Sequence, residues 1–162
     1  MKIFRRVSSA FLALVVSVMT FAGISAFAFT YDFNPSSTVY NTTTSTVYSD
    51  AVNYGQKSQD CTGKFWFSVN VPPNSGNFTI TMTGTLQVQT TTGWVTVRKL
   101  TASVTVKNST ASAYQYVRGS DSKDDIGMIN GNTYRVAYKV TSNGTSKKFS
   151  LNPCYSLDID ID

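Results

Sequence analysis

From Lys64 the chain alternates without a break: Phe65, Phe67, Val69 and Val71 form one set, Lys64, Trp66, Ser68 and Asn70 the other. Successive side chains of an extended strand point to opposite faces, so this period of two describes a strand with one buried and one wet face. The same pattern returns with Phe78, Ile80 and Met82 against Thr79, Thr81 and Thr83. It continues through Leu86 and Val88 past Gly84, which reads as a bend or bulge. Further strands are expected over Trp94 to Leu100, with Val95 and Val97 inward and Trp94, Thr96 and Arg98 outward, and over Ala102–Lys107, Ala113–Arg118, Thr133–Thr141 and Lys148–Leu151. Pro72 to Gly76, Thr90 to Gly93 and Asn143-Gly144 supply the turns. After residue 28 no window carries the 3.6-residue apolar period of a helix, which excludes helical bundles and layered α/β folds. Short strands with polar outer faces predict an all-β chain forming a single antiparallel β-sandwich, jelly-roll or immunoglobulin-like, of about seven to nine strands.

The first 28 residues read differently. Lys2, Arg5 and Arg6 precede an apolar run from Phe11 to Ile24, and Ala26-Phe27-Ala28 fits the small-x-small rule for signal cleavage. We expect residues 1–28 to be a signal helix, mature protein to begin at Phe29, and the product to be secreted and extracellular. Residues 29–60 form a Thr-rich segment with one or two edge strands, Phe29 to Ser36 being a flexible start, and 61–162 the sandwich core. Ser37-Thr38-Val39-Tyr40 and Ser45-Thr46-Val47-Tyr48 are near-copies eight residues apart, read as turns of a leader or as a short hairpin. The export signal and Thr-rich strands resemble small secreted bacterial proteins in general, a likeness of composition rather than of motif. Removing the signal lowers the basic count from 14 to 11 against nine acidic residues, so the net charge falls from +5 to 11 − 9 = +2. No basic run remains to suggest a nucleic-acid partner.

Histidine and glutamate are both absent. That excludes Ser-His-Asp and Cys-His nucleophiles, His-ligated zinc and acid catalysis by a tuned Glu, and we expect no enzyme. Cys61 and Cys154 are the only cysteines, and in an exported protein they are expected to pair, closing a loop of 154 − 61 = 93 residues. Such closure is worth roughly 4 to 5 kcal/mol on the chain-entropy model.

Asp121, Asp124 and Asp125 fall close together in an expected loop, a candidate calcium site without the spacing of a calcium-binding hand; no other cofactor is implied. Asp158, Asp160 and Asp162 alternate with Leu157, Ile159 and Ile161, as in a last strand whose charged face blocks edge pairing. Asn41, Asn77, Asn108 and Asn143 are glycosylation sequons. The strongest functional signal is aromatic. Trp66 and Trp94 fall on polar faces beside Lys64 and Arg98, where flat rings with one N–H donor suit stacking on a sugar. We therefore expect a secreted binding module for a cell-surface glycan, polymer or protein ligand, with Trp66, Trp94, Lys64 and Arg98 at its site. The alternatives are a membrane-active, pore-forming toxin, since Thr79 to Thr85 alternate with apolar residues, and a secreted inhibitor.

Overall fold

The computed structural model describes residues 27–42, 45–119, 121–145 and 147–161; the side chains of 27–29, 122–125, 160 and 161 are outside the description. The signal helix expected over 1–28 falls almost wholly on residues that are not described. Phe29–Ile159 form one compact unit.

The described residues are all-β, in two antiparallel sheets. Sheet 1 contains β1 (Phe27–Phe33), β2 (Val39–Tyr40), β5 (Gln59–Val71), β8 (Ala113–Arg118), β9 (Ser122–Met128) and β11 (Ser150–Ile161). Sheet 2 contains β3 (Val47–Tyr48), β4 (Val52–Asn53), β6 (Phe78–Thr90), β7 (Gly93–Val106) and β10 (Thr133–Asn143). The strand order is β1-β11-β5-β8 in the first, with β2 on β11 and β9 on β5, and β3-β10-β6-β7 in the second, with β4 on β10.

The period-two pattern does the sorting. Phe65, Phe67 and Val69 from β5, Leu151, Tyr155 and Leu157 from β11, Ile80, Met82 and Leu86 from β6, and Val136 and Tyr138 from β10 are all buried between the sheets. Ring pairs Phe65–Tyr138 and Phe65–Tyr155 have centroids 6.3 and 6.2 Å apart. Gly84 lets them meet. It sits in unbroken register with Leu100 and Tyr138, so no bend or bulge occurs there; a Cβ at Gly84 would lie 2.9 Å from the rings of both Phe65 and Tyr155.

Several expectations change. Phe29 to Ser36 is no loose start, because β1 pairs with β11. The two Ser-Thr-Val-Tyr copies do not form a hairpin: Val39-Tyr40 pairs with β11 in sheet 1, and Val47-Tyr48 with β10 in sheet 2. The stretches read as separate strands at Lys148–Leu151 and at the C-terminus are one strand, β11, lying between β1 and β5, so its aspartates guard no edge. The segment read as an aspartate-bearing loop is strand β9, paired with β5 through Ile126, Gly127 and Met128.

Candidate binding faces

The cysteines do not meet. Cys154 lies directly opposite Trp66 across the β5–β11 ladder, and Cys61 is five residues away along β5, roughly 17 Å. Five is odd, so the two thiols also point to opposite faces of sheet 1. Both are free and buried, which corrects the expected disulfide; a bridge needs Cα atoms within about 7 Å. Burial pushes the Cys61 thiol up to about 11, with Asp60 adding to the shift. Burial pushes Cys154 up to about 12, helped by Asp32. Neither is a ready nucleophile.

The four predicted binding residues fall on three surfaces. On β7 the register slips between Leu86 and Gln87: Leu86 faces Arg98 and Gln87 faces Thr96, leaving Val97 as an extra residue. That bulge shifts the parity of everything after it relative to strict alternation. Arg98 shares the inner face with the fully buried Leu86, whereas Trp94 and Thr96 lie on the outer face of sheet 2. Val95 keeps the expected inner side, opposite Val88, but near the hairpin end it is 48% exposed.

Trp94 is occupied from one side. The Arg135 guanidinium lies 4.1 Å from its ring centroid and 4.0 Å from that of Tyr48, while Arg135 Nε donates to Gln87 Oε1 at 3.0 Å. A Tyr-Arg-Trp stack of this kind fixes a charge by cation–π contact.

Trp66 and Lys64 lie on the outer face of sheet 1. Lys64 is bound to Asp158, which raises the lysine pKa chiefly through that hydrogen bond, and Asp158 also accepts from Thr30 Oγ1. Beside Trp66, β8 contributes residues that residue order alone does not single out. Register pairs Trp66 with Arg118, Ser68 with Tyr116 and Asn70 with Tyr114, so all six share one face. Tyr114 is 69% exposed and Tyr116 58%. Their Cα atoms are two residues apart, about 6.8 Å, and Trp66 is the diagonal neighbour of Tyr116 at roughly 7 to 8 Å. Three aromatic rings thus line one end of the sheet, flanked by Ser68, Asn70 and the exposed Asn152, which is paired with Ser68. Arg118 is held by Asp121 at 2.5 Å. The charges at the margin are therefore neutralised in pairs. The signal for Tyr114 and Tyr116 was present in the sequence, as alternate tyrosines on a short strand; what was missing was the pairing of that strand with β5.

Asp121 belongs to that ion pair, and the side chains of Asp124 and Asp125 lie outside the described residues. Among the described residues no three Asp or Cys side chains gather as a cation cage. The sequon asparagines are structural clips. Asn41 is 2% exposed, donating to the Lys147 carbonyl and accepting from the Phe149 N–H, both at 2.9 Å. Asn77 accepts from Asn108 N–H, Asn108 from Gly76 N–H and Asn143 from Thr79 N–H.

No family model matches the chain. No curated protein matches it either. Among solved structures it is similar to one titled "Structure of infectious bursal disease virus Gx strain", at 10% identity and a TM-score of 0.43, over 83% of this chain. The match spans 32% of that longer chain. A likeness this distant carries no functional argument.

Proposed function

We propose that the protein is a secreted, non-enzymatic binding module whose ligand is a neutral polysaccharide chain, held on the outer face of sheet 1 by Trp66, Tyr114 and Tyr116. The observation that carries this reading is the exposure of Tyr114 and Tyr116 on the same face as Trp66. Large rings left open to water on a rigid strand offer flat apolar area at low entropic cost, which the C–H face of a sugar covers. Ser68, Asn70 and Asn152 supply hydrogen-bonding groups for hydroxyls at the rim. The pairing of Lys64 with Asp158 and of Arg118 with Asp121 neutralises the two cations nearest the rings, which favours an uncharged ligand over an anionic one there. The repeated crossing of the chain between sheets supports a jelly-roll or immunoglobulin-like arrangement as the carrier.

Pull-down on insoluble polysaccharides tests the reading. The parent is expected to be retained on at least one, and the Tyr114→Ala/Tyr116→Ala and Trp66→Ala variants to bind roughly tenfold more weakly or worse, the loss expected for aromatic anchors. Trp94→Ala is expected to behave as the parent. Retention on no polymer, or platform variants indistinguishable from the parent, contradicts it.

The pore-forming alternative has one feature in its favour, the β6–β7 hairpin of 13 and 14 residues with a Thr/Ser outer face. Its inner residues Phe78, Ile80, Met82 and Leu86 are the core, however, so insertion into a bilayer requires opening the sandwich. Liposome dye release separates the two.

A further inference from the structure

The two sheets differ in charge. The strands of sheet 1 carry Asp32, Asp60, Asp124, Asp125, Asp158 and Asp160 against Lys64, Arg118 and Lys123. The strands of sheet 2 contain no aspartate and carry Arg98, Lys99, Arg135 and Lys139; one carboxylate adjoins them, the exposed Asp50 in the link between β3 and β4. Arg98 is on the inner face; the other three point outward. Register places Lys139 opposite Thr83, Lys99 opposite Thr85 and Arg135 opposite Gln87. Strand spacings of about 4.8 Å and 3.4 Å per residue then put the three Cα atoms at the corners of a triangle roughly 12 to 14 Å on a side.

Around and beyond that triangle runs a field of hydroxyls. Thr79 pairs with Thr105, Thr81 with Ser103 and Thr83 with Thr101, at 3.1, 2.9 and 3.3 Å between their side-chain oxygens. The face is not flat where it meets the β2–β3 connection. A cleft of about 410 Å³ opens there, lined by Lys139, Thr141, Ser142 and Thr145 with Asn41 and Thr42, so that among the described residues Lys139 is its single charged one. A second, of about 130 Å³, adjoins it along Thr79, Thr81 and Thr141.

We infer that the outer face of sheet 2 is a second binding surface, for an anionic polysaccharide. Lys99, Lys139 and the stacked Arg135 meet its carboxylate or sulfate groups, the Thr and Ser hydroxyls meet its own hydroxyls, and the cleft at Lys139 seats one residue of the chain. Charge complementarity selects this occupant: a face with three outward cations against one flanking carboxylate attracts a polyanion. A linear chain suits it because the cations are spread across three strands, while a single small anion would reach only one of them. This inference is independent of the platform on sheet 1.

Heparin serves as the test ligand. The parent is expected to be retained on a heparin column at low salt and to show a log–log salt dependence of affinity that becomes shallower by about 1.5 to 2 in Lys99→Gln/Lys139→Gln, one unit or slightly less for each cation removed. Lys99→Glu/Lys139→Glu is expected to abolish retention. Lys57→Glu/Lys148→Glu, which changes net charge equally but lies off this face, is expected to stay bound, and so is Tyr114→Ala/Tyr116→Ala. Equal loss in both charge-reversed pairs means that net charge alone governs retention, and overturns the inference. No retention of the parent overturns it, and so does equal affinity and salt slope for duplex DNA.

Discussion

Tyr138 joins both sheets through one oxygen. Its hydroxyl donates to the Phe33 carbonyl of β1 and accepts from the Tyr155 N–H of β11 at 3.2 Å, and burial drives its pKa far above the usual tyrosine value. Tyr138→Phe leaves two buried backbone groups without a partner, so a loss of about 1 to 3 kcal/mol is expected by denaturant titration, with the fold retained. Asn41→Ala unpairs the Lys147 carbonyl and the Phe149 N–H in the same way and should cost a similar amount. The buried acids set a second expectation. Burial raises Cys61 to about 11 and Tyr54 to about 12 from ordinary values of 9.0 and 10.0. A folded state that holds a proton more tightly than the unfolded chain has its full advantage below the unfolded value, and loses it as pH rises toward the folded one. Stability should therefore be flat to about pH 8.5 and fall between about pH 9 and 12; because Cys154 is raised from the same ordinary value, replacing both thiols in Cys61→Ala/Cys154→Ala should delay the onset. A midpoint constant to pH 12 contradicts the burial of these groups.

At the scale of elements, Gly84 decides how closely β6 approaches β5 and β11. Gly84→Ala places a methyl 2.9 Å from two interlocked rings, and overpacking of this kind costs about 1 to 3 kcal/mol in thermal or denaturant unfolding. The sequence made the strands legible because alternation is local: the Phe65–Val71 and Phe78–Val88 faces follow from residue order alone. It did not show partners, because pairing joins residues far apart in the chain. The near-copies ending at Tyr40 and Tyr48 look alike and enter different sheets. Nor did it show the bulge at Val97, since an extra residue leaves no mark on composition while it turns Trp94 and Arg98 to opposite faces. The candidate site was half visible for that reason: Trp66 stood on a polar face, but Tyr114 and Tyr116 joined it only through the β5–β8 register.

For the whole molecule, the absence of a bond between Cys61 and Cys154 places stability in the core. Reductant should leave the melting midpoint unchanged, and alkylation in denaturant without reductant should add two adducts per chain; a midpoint lowered by reductant, or no adducts, indicates a bridge. With the core holding both sheets rigid, the outer faces are free to differ, one aromatic with its marginal charges paired, the other hydroxylated and basic. The proposed binding mode lays a neutral sugar chain across β5 and β8. Backbone amide shifts followed during titration with a soluble oligosaccharide of whichever polymer retains the protein test it most directly. Perturbations are expected to cluster at Trp66, Ser68, Asn70 and Tyr114 to Tyr116, with β6 and β10 unmoved. A cluster on the sheet 2 face, or at the loops between the sheets, contradicts it.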